Sequence, residues 1–554
     1  MNKFIILCIT LCVVGTLVES KLNFGSRSET DFKKPNPKPV FGSAEYYDSN
    51  YLKPLEAITE TPNDYLVASL PGLKDIFPMY AGLITVNETS GGNIFFWFFP
   101  ANVTTPTDAP LLVWINGGPG CSSLDGVFLE NGPLRVNQDM SISINPYSWH
   151  QSANVLYIDQ PVGTGLSYTL DDSGLATNDL ELEQNFYQFI QYFLTIFSNY
   201  KSNPFFMSGE SYAGHYIPHY ANYIVTMNKN SNNNTFPINI QGLAIGNGWT
   251  HPIVQYESYG PFAYAAGIIS IEQANAYTNL VTACQSQINA GNFMSDECDN
   301  VMGTLQSDSG SNTTSMVNVY DIRLYDPTGG VNWPEPGITY ESDYLNRADV
   351  RQAIHASSVP HNWTECNNTV YQYLSNQDES SLFLFPSLLE QMRILVYNGQ
   401  FDLICNHVGT TEYLDVLEWS GAEEWKNSSR YIWTSYAEDG SGDLVTGGYS
   451  RSVQNLTYLL VLGGSHMVPY DMPVSTQDMI TRFLKNKDFK DIIQSQGAQI
   501  QPTPTPTPQT KNPLPIGAWI GITVGGCVFG ILVGTVITYV FMRSKMRNPY
   551  TSLN

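Results

Sequence analysis

Three short segments of the chain carry side chains that could act together in nucleophilic catalysis. Ser211 lies in GESYAG, residues 209–214, between an apolar run and a helix-compatible stretch. Asp402 and His466 each follow a later apolar run, which gives the chain order Ser, Asp, His. In such a set the histidine takes the proton of the serine hydroxyl, while the aspartate fixes the histidine tautomer and stabilises the imidazolium. Taken singly, a buried hydroxyl, a turn aspartate and a surface histidine are the alternative interpretations.

A fourth segment, WINGGPGCSS at residues 114–123, also follows an apolar run. Consecutive glycines at the end of a strand allow backbone N–H groups to turn toward a developing oxyanion. The alternative is a Gly-Pro turn without chemistry. We expect no metal and no other cofactor, because a serine mechanism needs none and the histidines are taken to lack paired ligand spacing.

The elements that would position these segments follow from the hydrophobic pattern. Apolar runs alternate with helical patterns, which predicts an α/β fold with a mostly parallel central sheet. Apolar residues recur at helical spacing from Leu180 to Phe197, which predicts a helix. Residues 250–345 are polar and rich in Asn and Ser, and we expect an insertion that caps the sheet. The predicted strands are Leu111-Ile115, Asn154-Ile158, Phe205-Ser208, Gly242-Ile245, Arg393-Tyr397 and Tyr458-Leu462.

The composition excludes one class of partner. The chain has 554 residues and a formal net charge of -24, so the phosphates of a nucleic acid would be repelled. The same acidity suits a compartment at low pH, where carboxylates are partly protonated and repel one another less. Hydrophobic residues make up 42% of the chain, which indicates a globular body rather than a disordered one.

Both ends of the chain carry membrane-directing patterns. Residues 1–20 have Lys3 followed by an apolar run, which predicts a signal peptide. Residues 516–542 hold no charge and precede basic residues, which predicts a transmembrane helix and a cytosolic tail at 543–554. The prediction is a single-pass type I membrane protein of the secretory pathway, Golgi or endolysosomal, with a lumenal catalytic domain. The segments expected between the ends are an N-terminal extension or propeptide at 21–62, a catalytic domain at 63–497 and a Pro/Thr-rich stalk at 498–515.

Cysteines and sequons fit an oxidising, secreted environment. Five cysteines lie between the two apolar end segments, and an odd count implies disulfides plus one free thiol. Cys284 and Cys298 are close enough in sequence to staple a local loop. Sequons for N-glycosylation occur at Asn87, Asn102, Asn233, Asn312, Asn362, Asn367, Asn427 and Asn455.

Two features of the C-terminal region predict partners. Glycines spaced by four within residues 516–542 allow close helix contact and a homodimer, with coincidence in a glycine-rich span as the alternative. The tail from Tyr550 to Leu553 resembles a tyrosine-based sorting signal read by clathrin adaptors. Such four-residue patterns also arise by chance.

Five longer stretches together resemble the serine carboxypeptidases of the α/β-hydrolase superfamily, over roughly residues 60–490. They are WINGGPGCSSLDG, IDQPVGTGLSY, GESYAGHYIP, NGQFDLICNHVGT and GGSHMVPYDMP. The resemblance implies an α/β-hydrolase fold and removal of C-terminal residues from peptides and proteins at acidic pH through an acyl-enzyme. It makes Ser211, Asp402 and His466 the catalytic triad, and it assigns the oxyanion hole to the backbone N–H groups of Gly118 and Tyr212.

The resemblance also implies how the free C-terminus of a peptide is bound. Asn116 and Glu210 would hold the substrate carboxylate, supported by Trp114 and Glu130. Glu210 can donate to that carboxylate only when it is protonated, because two anions in contact repel. Desolvation and the neighbouring Glu130 would raise the pKa of Glu210, so we expect peptidase activity to fall as the pH rises toward neutral.

The family pattern further assigns the cysteines and the pocket for the leaving residue. That pocket would contain Asp125, Cys405 and Met467, and a free thiol at Cys405 predicts inhibition by mercurials. An inert buried thiol is the alternative. Family members often carry additional disulfides in the insertion, and this chain does not, which leaves the fold of its insertion open. The implied disulfides are Cys121–Cys366 and Cys284–Cys298.

The resemblance implies that the preference for the C-terminal residue of the substrate depends on Asp125. An acid in the leaving-residue pocket would pair with Lys or Arg, so the chain resembles the membrane-anchored Golgi-type branch that trims basic residues after endoprotease cleavage. A solvated aspartate beside the site is the alternative. Two other functions remain open. Related acyltransferases keep the triad and pass the acyl group to an acceptor other than water, and a protective glycoprotein could retain the fold without catalysis.

Overall fold

A ten-stranded sheet organises the part of the chain that the computed structural model describes, residues 54–230, 235–310, 316–326, 334, 336–375 and 379–492. The strands, including two short pairs outside this sheet, are β1 (Tyr80–Asn87), β2 (Gly92–Phe99), β3 (Leu111–Ile115), β4 (Leu134–Val136), β5 (Ile142–Ile144), β6 (Asn154–Asp159), β7 (Phe205–Glu210), β8 (Ile240–Gly246), β9 (Met316–Val317), β10 (Tyr325–Asp326), β11 (Arg393–Gly399), β12 (Tyr431–Tyr436), β13 (Leu444–Val453) and β14 (Leu456–Val461).

The main sheet has the strand order β1-β2-β6-β3-β7-β8-β11-β14-β13-β12. Its six central strands, from β6 to β14, are parallel to one another. Antiparallel strands complete each edge, β1 and β2 on one side and β13 and β12 on the other. The carboxyl ends of the six parallel strands therefore lie along one edge of the sheet, where ligands bind in open α/β folds.

The helices cover both faces of the sheet. Their bounds within the described residues are α1 (Leu124–Phe128), α2 (Asp179–Ile196), α3 (Ala213–Lys229), α4 (Pro252–Gln255), α5 (Tyr259–Ala265), α6 (Ile271–Asn289), α7 (Asp296–Ser309), α8 (Gly337–Leu345), α9 (Ala348–Ala353), α10 (Asn368–Leu374), α11 (Phe385–Leu389), α12 (His407–Val416), α13 (Ala422–Asn427), α14 (Val468–Asp471) and α15 (Pro473–Leu484).

Burial on both faces explains why the central strands are continuous apolar runs. Every residue of β3 is buried. Val113 packs into an apolar core that includes Phe189 of α2, whereas the adjacent Trp114 packs into a second core that includes Ile480 of α15. Strands covered on both faces have no need for alternating polar residues.

The six predicted strands correspond to the parallel strands β3, β6, β7, β8, β11 and β14, with end residues that differ by at most two. The helix predicted from Leu180 to Phe197 is α2. The prediction of an α/β fold with a mostly parallel sheet is confirmed. The antiparallel edge strands β1, β2, β12 and β13 were not predicted.

Helices α4 to α7 occupy much of the segment that was expected to be an insertion. Helices α5, α6 and α7 share an apolar cluster that includes Tyr277, Val281 and Leu305. The Cys284–Cys298 disulfide joins α6 to α7. Leu403, the residue after Asp402, belongs to the same cluster, so this helical layer packs beside the carboxyl ends of the sheet.

Several predicted segments lie outside the described residues. They are the signal peptide, the stalk at 498–515, the transmembrane segment at 516–542 with its glycines, the tail with Tyr550 and Leu553, and the sequons at Asn233 and Asn312. Among the helices in the described ranges, none combines the length and the apolar character needed to cross a bilayer.

Candidate active site

Ser211 occupies a sharp turn between β7 and α3. Its φ is 61°, a left-handed conformation that is uncommon for a residue with a side chain. The turn needs a small residue at position 209, because a Cβ on Gly209 would lie 2.1 Å from the carbonyl oxygen of Ile115. The backbone carbonyl of Ser211 accepts hydrogen bonds from the N–H groups of Gly214 and Trp249. These contacts hold the serine at the carboxyl end of β7 in the geometry of a nucleophile elbow.

Asp402 and His466 form a buried hydrogen-bonded pair on the loops that follow β11 and β14. Nδ1 of His466 lies 2.9 Å from Oδ2 of Asp402. The side chain of Asp402 is fully buried and that of His466 is 5% exposed. When Nδ1 donates its proton to the carboxylate, Nε2 is left to accept one, which is the tautomer that a general base needs.

Asn247, at the end of β8, connects the aspartate to the serine turn. Its side-chain amide donates to Oδ2 of Asp402, and its Oδ1 accepts from the N–H of Gly399 at 3.0 Å. The preceding residue, Gly246, accepts the N–H of Ser211 at 3.1 Å. Two adjacent residues of β8 and its following loop therefore anchor both the nucleophile and the acid.

The glycine loop after β3 lies directly against the serine turn. A Cβ on Gly117 would lie 2.3 Å from the backbone nitrogen of Tyr212. Gly118 has a φ of 110°, and both Gly118 and Tyr212 line the cavity that contains Ser211. Both residues thus lie near the serine, and the assignment of their N–H groups to an oxyanion hole stays a prediction. The disulfide from Cys121 anchors this loop to Cys366.

Two buried acids meet at Asn116, beside the serine turn. The amide of Asn116 donates to Oε1 of Glu130 at 2.9 Å and to Oε1 of Glu210 at 3.1 Å. Its Oδ1 accepts from the indole N–H of Trp114 at 2.7 Å, which fixes the orientation of the amide. Glu130 is fully buried and Glu210 is 5% exposed. The four residues expected to bind a carboxylate are therefore in one network.

The two acids of this network have raised pKa values. Burial raises the pKa of Glu210 well above its usual range, and the charge of Glu130 adds to the effect. Burial raises the pKa of Glu130 to about 6, although hydrogen bonds from Asn116 and Glu210 oppose the shift. The carboxyls hydrogen-bond to each other, which requires that at least one of them be protonated. A protonated carboxyl can donate to an anion, and an ionised one cannot.

Both Ser211 and Cys405 line a cavity of about 360 Å³. Neither Asp125 nor Met467 lines it; Met467 instead packs with Leu129. Cys405 lines this cavity from the loop after Asp402, and the assignment of Asp125, Cys405 and Met467 to one leaving-residue pocket stays a prediction. Aromatic residues also line the cavity, namely Trp249, Tyr256, Tyr259 and Tyr371.

Asp125 is not a solvated surface acid. It is 4% exposed, and its carboxyl is hydrogen-bonded to that of Glu341, a fully buried residue of α8. Burial, followed by the charges of Glu341 and Glu365, raises the pKa of Asp125 well above its usual range. Burial raises the pKa of Glu341 in the same direction. A second pair of buried acids thus lies near the first, in a region that would stabilise a cation.

The disulfides and the remaining thiol have defined positions. Bonds join Cys121 to Cys366 and Cys284 to Cys298, and Cys405 is a buried thiol outside both disulfides. The thiol sulfur of Cys405 lies within 4.8 Å of ligand atoms of both Asp402 and His466.

The sequons differ in their surroundings. Asn87 and Asn362 are exposed. The side-chain amides of Asn367 and Asn455, which are partly buried, donate to backbone carbonyls at 2.8 Å. A glycan on either of these would displace that hydrogen bond. Asn102 and Asn427 are exposed, and each donates a side-chain hydrogen bond to a neighbour.

A serine at a strand-to-helix turn, with a histidine–aspartate pair at the carboxyl ends of neighbouring parallel strands, is the arrangement of an α/β-hydrolase. The chain belongs to the serine carboxypeptidase family, whose family model matches residues 71–486. It is therefore a serine-type carboxypeptidase, a peptidase that removes residues from the C-terminus.

Individual relatives agree with this assignment. The chain is 59% identical to serine carboxypeptidase S10 family member 2 of Dictyostelium discoideum, over 96% of this chain and 95% of that protein. It is 38% identical to the pheromone-processing carboxypeptidase kex1 of Talaromyces marneffei, over 79% of this chain and 71% of that protein. The crystal structure of Kex1(delta)p, a prohormone-processing carboxypeptidase from Saccharomyces cerevisiae, superposes with a TM-score of 0.70 at 34% identity, over 77% of this chain and 96% of that one.

Sequence reasoning missed three features of this region. Asn247 had a usable signal, because it directly follows β8, the strand that lies between β7 and β11, after which Ser211 and Asp402 are found. Glu341 had none, because tertiary packing alone brings it to Asp125. The statement that the histidines lack paired ligand spacing is wrong, since His215 and His219 lie four residues apart on α3.

Proposed function

We propose that this carboxypeptidase removes C-terminal lysine or arginine from peptides and proteins at acidic pH, through an acyl-enzyme. Ser211 attacks the last peptide carbonyl while His466, oriented by Asp402, takes its proton. The N–H groups of Gly118 and Tyr212 stabilise the oxyanion. His466 then protonates the leaving amino acid, and water hydrolyses the acyl-enzyme.

The network of Asn116, Glu130 and Glu210 carries the proposal of an exopeptidase. Asn116 donates its amide hydrogens to the two acids, whereas Oε2 of Glu130 and Oε2 of Glu210 have no hydrogen-bond partner among the described residues and become donors beside the serine turn when protonated. A free C-terminal carboxylate matches such donors, whereas the ester donor of an acyltransferase has no charge for them to bind. A peptide held in this way presents its last amide bond to Ser211.

The buried pair of Asp125 and Glu341 supports the preference for a basic C-terminal residue. Buried acids that lack a full set of hydrogen-bond partners are stabilised by an incoming cation. The cation can displace the proton that the two carboxyls share and form an ion pair with them. Apart from the hydrogen bond between the two carboxyls, Oδ1 of Asp125 and both carboxyl oxygens of Glu341 have no partner among the described residues, so they can accept from a lysine or arginine side chain. Several relatives, 35% to 38% identical, are named pheromone-processing carboxypeptidases.

The cellular setting belongs to the same proposal. We expect a type I protein of the secretory pathway, anchored by residues 516–542, with residues 63–497 in the lumen. The exposed sequons and the two disulfides support an oxidising compartment. Homodimerisation through the span and adaptor binding through Tyr550 and Leu553 complete the proposed partners.

Release of single amino acids tests the activity directly. The purified full chain and its Ser211→Ala variant would be assayed with N-terminally blocked dipeptides that end in Lys, Arg, Leu, Phe or Glu, at pH 5 and pH 7. We expect Lys and Arg to be released fastest at pH 5, and no release by the variant. Faster release of Leu or Phe would reject the basic preference, and release that does not depend on Ser211 would reject the mechanism.

Two substitutions test the pocket. Asp125→Thr and Glu341→Gln should each lower kcat/KM for Lys and Arg substrates by at least about tenfold, or about 1.4 kcal/mol, because removing one partner of a buried ion pair costs more than that. Hydrolysis of a Leu substrate should change much less. Glu390→Gln, an exposed acid, is the matched control. An equal loss with all substrates would mean that the substitutions only disturb the fold.

A further inference from the structure

Two histidines and two acids face each other between α2 and α3, outside the network described above. Asp179 and Glu183 lie four residues apart on α2, and His215 and His219 lie four residues apart on α3. Residues at this spacing share one face of a helix. Nε2 of His215 is 2.9 Å from Oδ1 of Asp179, and Nδ1 of His219 is 3.1 Å from Oε1 of Glu183.

The four side chains are almost completely removed from water. The exposed fraction is 3% for His215, 6% for His219, 0% for Glu183 and 16% for Asp179. The negative charge of the two acids, held against the imidazoles in this buried setting, attracts a cation, either a proton on an imidazole or a metal ion.

The second nitrogen of each imidazole distinguishes these possibilities. Nδ1 of His215 faces the backbone carbonyl of Glu379 at 3.1 Å, and Nδ1 of His219 faces Glu183. Metal-binding histidines are usually oriented in this way, with one ring N–H donated to a carbonyl or carboxylate and the other nitrogen on the metal. Nε2 of His219 is buried and has no hydrogen-bond partner among the described residues, so it is available as a ligand.

The spacing of the donor atoms fits one small cation. One ligand atom from each of Asp179, His215 and His219 lies within 4.8 Å of the others. Zinc–nitrogen and zinc–oxygen bonds near 2 Å put the ligands of a tetrahedral ion about 3.3 Å apart, so the side chains need to close by at most about 1.5 Å. Side-chain rotation alone can supply such a movement.

We propose that Asp179, His215 and His219 bind one divalent transition metal ion of the zinc class, with Glu183 and the carbonyl of Glu379 orienting the two imidazoles. Two imidazole nitrogens and one carboxylate oxygen favour zinc and its first-row neighbours over magnesium or calcium, which prefer oxygen alone. The partly exposed side of Asp179 leaves room for a water as the fourth ligand. The ion would cross-link α2 to α3.

This site is separate from the triad but structurally connected to it. The ring of His215 lies 5.2 Å, between centroids, from that of Tyr212, the residue that follows Ser211. Metal binding would therefore stabilise the first turn of α3 against α2. The expected result is a higher melting temperature, independent of whether a substrate is bound.

The test uses the purified full chain after chelation and gel filtration, with Zn²⁺ and Co²⁺ as the probes. We expect one equivalent of Zn²⁺ to bind by titration calorimetry and to raise Tm. Co²⁺ should give the visible absorption of a four-coordinate site. His219→Gln and Asp179→Asn should each weaken Zn²⁺ binding at least tenfold and remove the Co²⁺ spectrum. His361→Gln, a histidine outside the cluster, is the matched control and should behave like the unaltered chain.

Two further measurements keep the result interpretable. Circular dichroism of the metal-free variants establishes that each is folded, and Asp179→Asn, at the most exposed ligand, covers a failure of His219→Gln to fold. His466→Ala removes the competing cluster of Asp402, Cys405 and His466. Loss of binding in His466→Ala would place the ion at the triad and overturn the proposal. Absence of stoichiometric binding, or binding unaffected by both cluster substitutions, would also overturn it.

Discussion

Replacing Asp402 with asparagine is expected to lower kcat by about 10⁴-fold while the protein stays folded. The carboxylate accepts from Nδ1 of His466, from the amide of Asn247 and from the N–H of Cys405. An asparagine can keep the shape but must present an NH₂ group to one of these donors. The favoured response is a change in the histidine tautomer, which puts the proton on Nε2, where the base is needed.

Steady-state kinetics of Asp402→Asn against a blocked dipeptide test this expectation. Ser211→Ala sets the floor of the assay, and Asp108→Asn, at an exposed position, is the matched control. The melting temperature should be compared for all variants, because the lost hydrogen bonds also stabilise the loop after β11. A kcat within tenfold of the unaltered enzyme would show that another acid orients the base.

The KM for peptides with a free C-terminus is expected to rise about tenfold between pH 5 and pH 7.5. Burial raises the pKa of Glu130 to about 6 and raises that of Glu210 well above its usual range, so the carboxyls proposed to bind the substrate hold protons at pH 5. As the pH rises through the pKa of Glu130, a proton is lost and the carboxylate of the substrate meets negative charge. Each pH unit above the pKa can weaken binding by up to tenfold, or about 1.4 kcal/mol.

The same peptide with a C-terminal amide is the substrate control for this pH dependence. It has no carboxylate to be repelled, so its KM should vary little with pH. Glu210→Gln should raise KM at pH 5 and flatten the profile, since a glutamine keeps a donor but does not titrate. Values of kcat and KM must be determined separately, because the prediction concerns the binding of the carboxylate and not turnover. A KM that is constant from pH 5 to pH 7.5 would contradict a protonated carboxylate-binding site.

The central sheet was predictable because its strands are buried on both faces. β3 is a continuous apolar run and β11 contains one, so each strand can be recognised without knowing which strands lie beside it. The edge strands carry weaker local signals. β13, for example, contains Gly447 and Gly448, and its exposed and buried residues follow no regular alternation. A Cβ on Gly448 would lie 1.8 Å from the carbonyl oxygen of Leu460, so the glycine that weakens the strand signal is required by the close approach of β14.

The residues of the candidate site also differ in whether local sequence identifies them. Ser211, Asp402 and His466 follow strand ends in short motifs, and local sequence is enough to identify them. Glu341 reaches Asp125 only because α8 packs beside α1, and no feature near residue 341 indicates this contact. The cavity that Cys405 faces depends on how the loop after β11 turns, which is a property of tertiary packing rather than of any motif.

The bond between Cys121 and Cys366 spans 245 residues of the chain. Ser211 lies inside this covalent ring, whereas Asp402 and His466 lie beyond it. A protease that cuts once at any position inside the ring leaves two polypeptides that are still held together by sulfur. Such a cleaved enzyme would migrate as one band on a non-reducing gel and as two after reduction. Its nucleophile and its base would then belong to different chains whenever the cut falls between Ser211 and Cys366.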